Sequence, residues 1–521
     1  MAEYSDFERY TADIPLPDGK VGQTQALGAF QVYAAYNGLK ESQTGGTVTI
    51  EALPQEELPP VDLPGIGDLN PPDPSVGGSV LANGQLVEIT NNYAETFNTA
   101  PPVEDYSRPT NAYLPKGTTD YLKDTYYLGN TKYYQLGSGI RIYAKDARLG
   151  GSADFTANTA SVNDVTVGAT HTTMQFGFSW RVPYNVQLLP QSYRDTSSSH
   201  QPSYAITEQT TEYVEITFYY TTAVSGTPDV SGSPLFSRAE WEKGDNNSYI
   251  LRLHLRNKGQ FYGYSVVWDA DNNLNFAFKY PPNVSGNPSD KPLRGVRICI
   301  DPGHGSGSGT GAIIGGVQFY EKDLALTFSL MLRDKLVAAG ATVTMSRTDD
   351  SNPAMDYRVD IARNNGTDLL ISIHMDSSGV LSASGASVHY FNEYSYEAAG
   401  ILWEKMHEVE KKYGIGNRAE PVHWSPFQLA RCHDTTAFLV ECGFMDNARN
   451  AEALINPVYQ NLLTTAMTDG IIEYFQSRPV LAAAQNTSVP VSAPQPAPAA
   501  QPALPVDSSV PIYGRRRSAA V

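Results

Sequence analysis

Residues 297–305 read RICIDPGHG, and the interpretation of the chain starts there. Val296, Ile298 and Ile300 make a short apolar strand. Asp301, Pro302 and Gly303 end it and set His304 in a turn flanked by glycines. Three later stretches have the same build, a polar residue at the end of an expected strand or helix. They are Glu321 in YEKD, His374 in LLISIHMD and Glu441 in FLVECGFMDN. In an open α/β sheet, ligands and chemistry gather beyond the carboxyl ends of the strands.

Outward from this stretch, strand and helix alternate. Strands are expected at 296–300, 342–345, 369–373, 387–391 and 437–440, and helices at 322–339, 355–364, 393–413 and 457–475. Leu324, Phe328, Leu332 and Leu336 form one apolar stripe, closed by Gly340. The 369–373 run is apolar throughout, as in a strand buried on both faces. This predicts an α/β domain at 293–477 with a largely parallel sheet flanked by helices.

A lone histidine in a turn is usually structural, and a glutamate opening a helix is favoured there for dipole reasons alone. Together, His304, Glu321 and His374 offer two imidazoles and a carboxylate, which suit one catalytic Zn²⁺ with a position left for water. Glu441 has two readings. It is either a buried partner for Arg347, Arg358 or Arg431, or the base that takes a proton from water and returns it to a leaving amine.

The series DPGHG, EKDL, SRTDD, SIHMD and VECGFMDN resembles the zinc-dependent N-acetylmuramoyl-L-alanine amidases of the type 3 cell-wall family, over about 293–475. The resemblance implies a secreted enzyme that cuts the amide between N-acetylmuramic acid and the L-alanine of the peptidoglycan stem. It implies His304, Glu321 and His374 as metal ligands and Glu441 as the catalytic residue. Arg347 and Arg358 occupy motif positions for which a structural ion pair is the expectation. Met375, Asp376 and Ser377 replace the commoner residues after the second histidine, leaving Asp376 to touch substrate or cap the next loop. Regulated members carry an inserted helix there that blocks the metal, whereas residues 377–386 leave room for a short loop only. His389, His407, His423 and His433 are expected outside the ligand set, on the surface or along the groove. A zinc peptidase cutting within the stem, and a wall-binding protein with an inert enzyme domain, are the competing readings.

The rest of the chain reads as all-β modules and linkers. Residues 1–108 hold a polar lead-in, β-like runs at 29–36 and 46–52, and a Pro-rich acidic stretch at 53–76. A strand at 86–90 is expected to return to those runs. Residues 109–150 are short tyrosine-rich runs cut by glycine turns and look like a small SH3-like barrel. Their tyrosines either stack on sugars or pair across strands. Residues 151–280 resemble the β-sandwich modules that accompany wall amidases, 281–292 form a linker, and 478–521 is a Pro/Ala-rich tail with a basic end at 515–517.

The 521-residue chain has a formal charge of −18, which argues against a nucleic-acid groove or an acidic-membrane binder. Cys299, Cys432 and Cys442 are too few for a disulfide framework and are expected as buried thiols. No run is long and apolar enough to span a bilayer, and the first residues do not read as a secretory signal. Peptidoglycan as the one macromolecular partner, a monomer, and a site of action at the cell wall or periplasm complete the expectations.

Overall fold

The computed structural model describes residues 78–97, 110, 112–195, 204–308, 311–416, 418 and 420–481, with the backbone of four short strands before them. Two of those strands, Leu39–Thr44 and Thr47–Ala52, form an antiparallel hairpin. The expected strand at 29–36, the Pro-rich stretch at 53–76 and the tail from 482 onward lie outside the described residues.

The N-terminal region is all β. A seven-stranded sheet runs Ala147–Thr156, Val80–Ile89, Thr119–Leu128, Thr131–Leu136, Arg141–Tyr143, Ala94–Phe97, Tyr113–Leu114. Val80–Ile89 pairs with Ala147–Thr156 and Thr119–Leu128, so the strand expected at 86–90 does not return to the earlier hairpin. The sheet crosses positions 108/109 and 150/151, where the composition changes, because its partners are far apart in sequence. Five- and four-stranded sheets follow between Asn158 and Lys279. Their strands alternate buried and half-buried, as in Tyr184–Leu189, and pack Phe176, Phe218, Phe276 and Leu251 face to face. The same core continues into Val87, Leu114 and Ile142 of the tyrosine-rich sheet. Tyr113, Tyr133 and Tyr134 are buried, and Tyr126 stacks on its register partner Tyr133, which favours cross-strand pairing over sugar stacking.

The C-terminal domain is built on six strands: β1 (Arg297–Pro302), β2 (Thr342–Met345), β3 (Leu369–Asp376), β4 (Ser387–Tyr390), β5 (Val422–Trp424) and β6 (Thr436–Phe444). Their order is β2-β1-β3-β6-β4-β5. The first four are parallel, while β4 and β5 run the other way. The sheet is therefore largely parallel, as expected, with one antiparallel pairing, β6 with β4, that makes it mixed. A parallel crossover needs a dozen or more residues and usually a helix. Residues 377–386 between β3 and β4 hold turns and no helix, so the chain re-enters the sheet from the end it has just left. Helices α1 (Glu321–Ala338), α2 (Met355–Asn364), α3 (Tyr396–Lys412), α4 (Ala448–Leu454) and α5 (Pro457–Ser477) cover the faces. Asn447 and Asn456 cap α4 and α5 through their side-chain oxygens, and Gly340 takes φ 96° just past α1.

The β region docks where β3 and β6 begin, the end of the sheet opposite Glu321 and His374. Lys279 Nζ donates to the Thr367 carbonyl, and Arg363 lies 3.0 Å over the Tyr93 ring while bonding Asp434. Arg431 clamps Glu95 with two nitrogens, at 2.9 and 2.7 Å. Tyr264 N–H donates to the His433 carbonyl, and a Cβ on Gly263 would lie 2.7 Å from that oxygen. Glu393, buried ahead of α3, accepts from Ser192 N–H, Ser192 Oγ and Thr211 Oγ1 of the β region.

Burial pushes the Glu393 carboxyl from its ordinary 4.5 up to about 7 against the pull of the Ser192 hydrogen bonds. The folded state thus holds this proton more tightly than the unfolded chain. The stabilisation is complete below the unfolded value and is lost as pH rises through 7, a swing of roughly 3 kcal/mol. Chemical denaturation between pH 5 and 8 should therefore show wild-type stability falling more steeply than that of Glu393→Gln. Equal slopes would contradict this.

Candidate metal centre

His304 has φ +61°, in the left-handed region that a non-glycine residue enters at a cost. Two arginines hold the turn there. Arg358 sends Nη1 to the Pro302 carbonyl at 2.8 Å and Nη2 to the His304 carbonyl at 2.5 Å. Arg347 sends Nε to the Pro302 carbonyl and Nη2 to the carbonyls of Gly303 and Lys322. Beneath them Asp301 is buried and accepts from Arg358 Nη1 at 2.8 Å, Ser372 Oγ at 2.7 Å and Ser346 Oγ. The expected ion pair exists for Arg358, whereas Arg347 binds backbone carbonyls.

Gly303 is required by close approach, since a Cβ there would lie 2.4 Å from the His374 ring. Glu321 opens α1, where the helix dipole favours a carboxylate, and is buried. Its Oε1 is the point of convergence. His304 Nε2 lies 2.8 Å away, His374 Nδ1 2.9 Å, and the Met375 N–H donates to it at 3.2 Å. One ligand atom from each of His304, Glu321 and His374 falls within 4.8 Å of the others. Burial works against the Glu321 charge, but hydrogen bonds from both histidines outweigh it and hold the carboxyl down at about 2. Ser308 Oγ lies 2.9 Å from His304 Nδ1, which orients the ring so that Nε2 faces the cluster. An ionised carboxylate with two imidazole nitrogens, in a cradle that glycine keeps open, fits a divalent cation.

Glu441 is the register partner of His374 across the parallel β3–β6 pair. Its Oε2 is buried without a hydrogen-bond partner among the described residues. Burial pushes its carboxyl up to about 8. Arg347, Arg358 and Arg431 all bond elsewhere, so none of them pairs with it. A carboxylic group poised near neutrality beside a metal cradle can accept a proton and give it back.

The remaining expectations separate cleanly. His433 is buried in the docking interface and bonds Asn392 Oδ1 at 2.7 Å, far from the surface or groove expected for it. His407 stacks on Trp403, and His389 pairs with His423. Cys299, Cys432 and Cys442 are buried free thiols. Asp376 both accepts from Ser377 N–H and pairs with Arg418. Ser308 and the carbonyl-binding role of the two arginines carried no pattern that sequence reasoning could use.

Comparison with known proteins places a family model described as N-acetylmuramoyl-L-alanine amidase on residues 298–473. An uncharacterized Bacillus subtilis protein, YqiI, is 33% identical over 185 residues, covering 36% of this chain and 87% of the relative. The N-acetylmuramoyl-L-alanine amidase LytC of the same organism is 30% identical, over 36% of this chain and 38% of its own length. The catalytic domain of CwlV, an N-acetylmuramoyl-L-alanine amidase from Bacillus (Paenibacillus) polymyxa var. colistinus, aligns at 26% identity. It covers 35% of this chain and 99% of that domain, with a TM-score of 0.33.

If Arg358 holds the His304 turn, Arg358→Gln should weaken metal binding by about 10–100-fold. Competition with a chromogenic chelator measures this, with thermal unfolding of the metal-free protein as the check on folding. Unchanged metal affinity in a folded variant would contradict the assignment.

Proposed function

The chain belongs to the N-acetylmuramoyl-L-alanine amidase family through residues 298–473, and from that premise we propose that it hydrolyses the amide between N-acetylmuramic acid and L-alanine in peptidoglycan with one bound zinc ion. The observation that carries this reading is the convergence of His304, Glu321 and His374 beside the unpartnered Glu441 oxygen. His304 would hold zinc through Nε2, His374 through Nδ1 and Glu321 through a carboxylate oxygen. Zinc bound there supplies Lewis-acid charge that polarises a carbonyl and acidifies water.

The protein's own part is positioning and proton transfer. Glu441 accepts the proton of the attacking water at Oε2 and returns it to the nitrogen of the departing L-alanine. Its buried setting keeps the proton affinity close to neutral pH, which suits a group that must work in both directions. Residues 377–386 form a loop without a helix, exposed over 377–382, which supports a site that acts without a separate activator. We take residues 293–477 as the catalytic domain, 281–292 as the linker into it, and the β region as the part that holds it at the wall. Action as a monomer at the cell wall is part of the same reading. Among the described residues no helix is long and apolar enough to cross a membrane.

Purified cell walls should release dye without any added protein, and a chelator should stop release until zinc is restored. The products should be glycan carrying free lactyl carboxylates and intact peptides with N-terminal L-alanine. Shortened peptides would instead indicate a stem peptidase. Glu441→Gln should lose roughly 10²–10⁴-fold in kcat while keeping its metal, and loss of the metal together with activity would remove Glu441 from the proton-transfer role.

A further inference from the structure

Beside Glu441 stands a cation that the hydrolysis does not use. β3, β6 and β4 set His374, Glu441 and Ser387 in one row, each the register partner of the next. Neighbouring strands lie about 4.8 Å apart, so the row extends ~10 Å from the metal cradle. Arg418 bridges from Asp376, two residues beyond His374 on β3, to Ser387 at the far end of the row. Its Nη1 donates to Asp376 Oδ2 at 2.6 Å and to Ser387 Oγ at 2.9 Å, and its guanidinium lies 5.2 Å from the Phe444 ring centre. Residues of β3, β4 and β6 therefore hold it in place.

Hydrogen bonds engage Nη1 alone of its nitrogens among the described residues. Among the described residues, Arg418 Nε and Nη2 donate to no group, and the side chain keeps 27% of its surface exposed. Guanidinium is charged at any working pH, and its fork matches a carboxylate with two parallel hydrogen bonds. The carboxyl groups of Glu321, Asp376 and Glu441 also line the row, so Arg418 is the group there whose fixed positive charge suits a carboxylate.

We propose that Arg418 binds a free carboxylate of the peptide stem, which sets the scissile amide over Glu441 and makes the enzyme prefer stems whose carboxylate is not amidated. The proposal rests on the amidase reading above. It adds an anion-binding position that bridges β3 and β4 on either side of β6, in reach of a carboxylate one or two residues beyond the bond being cut.

The test uses the full-length zinc-loaded protein and two disaccharide–peptide substrates with the same scissile bond. They differ only in whether the carboxylate of the residue after L-alanine is free or amidated. Wild type should favour the free acid by roughly 10-fold or more in kcat/KM, mainly through KM, as expected for a charged hydrogen bond. Arg418→Gln should bring the free acid down to the amidated level and leave the amidated substrate unchanged, which also certifies its fold. Arg418→Lys should keep part of the preference. Equal wild-type cleavage of both substrates, or a preference that survives in Arg418→Gln, would overturn the proposal while leaving the amidase reading intact. Cleavage of neither substrate by wild type, where a reference amidase cuts both, would overturn that reading and the proposal with it.

Discussion

The contact between Arg358 and Asp301, sealed under the turn at His304, is the one on which the rest of the site depends. Both side chains are almost wholly buried. A buried ion pair offsets its desolvation only when its other hydrogen bonds are also made. Here they are. Arg358 uses all five N–H groups, on Asp301, the carbonyls of Pro302, His304 and Pro353, and Asn352 Oδ1. Asp301 also takes hydroxyls from β3 and from the end of β2. The pair therefore ties β1, β2, β3 and the start of α2 to a single turn. That turn aims His304 at Glu321, and α1, which Glu321 opens, runs from it along the core of the domain.

Much of this was legible in the sequence, for identifiable reasons. The strand Thr342–Met345 and the helix Met355–Asn364 fall where their apolar patterns put them, because both are bounded by glycine, proline or polar turns. His304, Glu321, His374 and Glu441 stood out because each closes or opens such an element. What was not legible depends on partners remote in the chain. The direction of β4 follows from a loop without a helix, and the pairing of Val80–Ile89 with Ala147–Thr156 joins residues 58 to 76 positions apart. The hairpin Gly311–Ile314 with Val317–Tyr320 escaped notice because it is short, glycine-turned and largely exposed. Arg347 and Arg358 could be seen but not assigned, since backbone carbonyl acceptors leave no mark in a sequence.

The β region and the metal centre occupy opposite ends of the C-terminal sheet. Docking uses the starts of β3 and β6, with buried Lys279 and half-buried Arg431 and Asp434 in charged contacts. The chemistry uses their ends. The same two central strands thus carry both. The burial that makes Glu441 a weak acid is a consequence of its place at the end of such a central strand.

In the proposed function two imidazoles and one carboxylate, distant in sequence, share one zinc ion. X-ray absorption at the zinc edge of the full-length protein tests it most directly. One zinc per chain is expected, with only nitrogen and oxygen neighbours at about 2.0–2.2 Å, two of them imidazole, and loss of one imidazole in His304→Ala or His374→Ala. Sulfur neighbours at about 2.3 Å, or a spectrum unchanged in both variants, would contradict it.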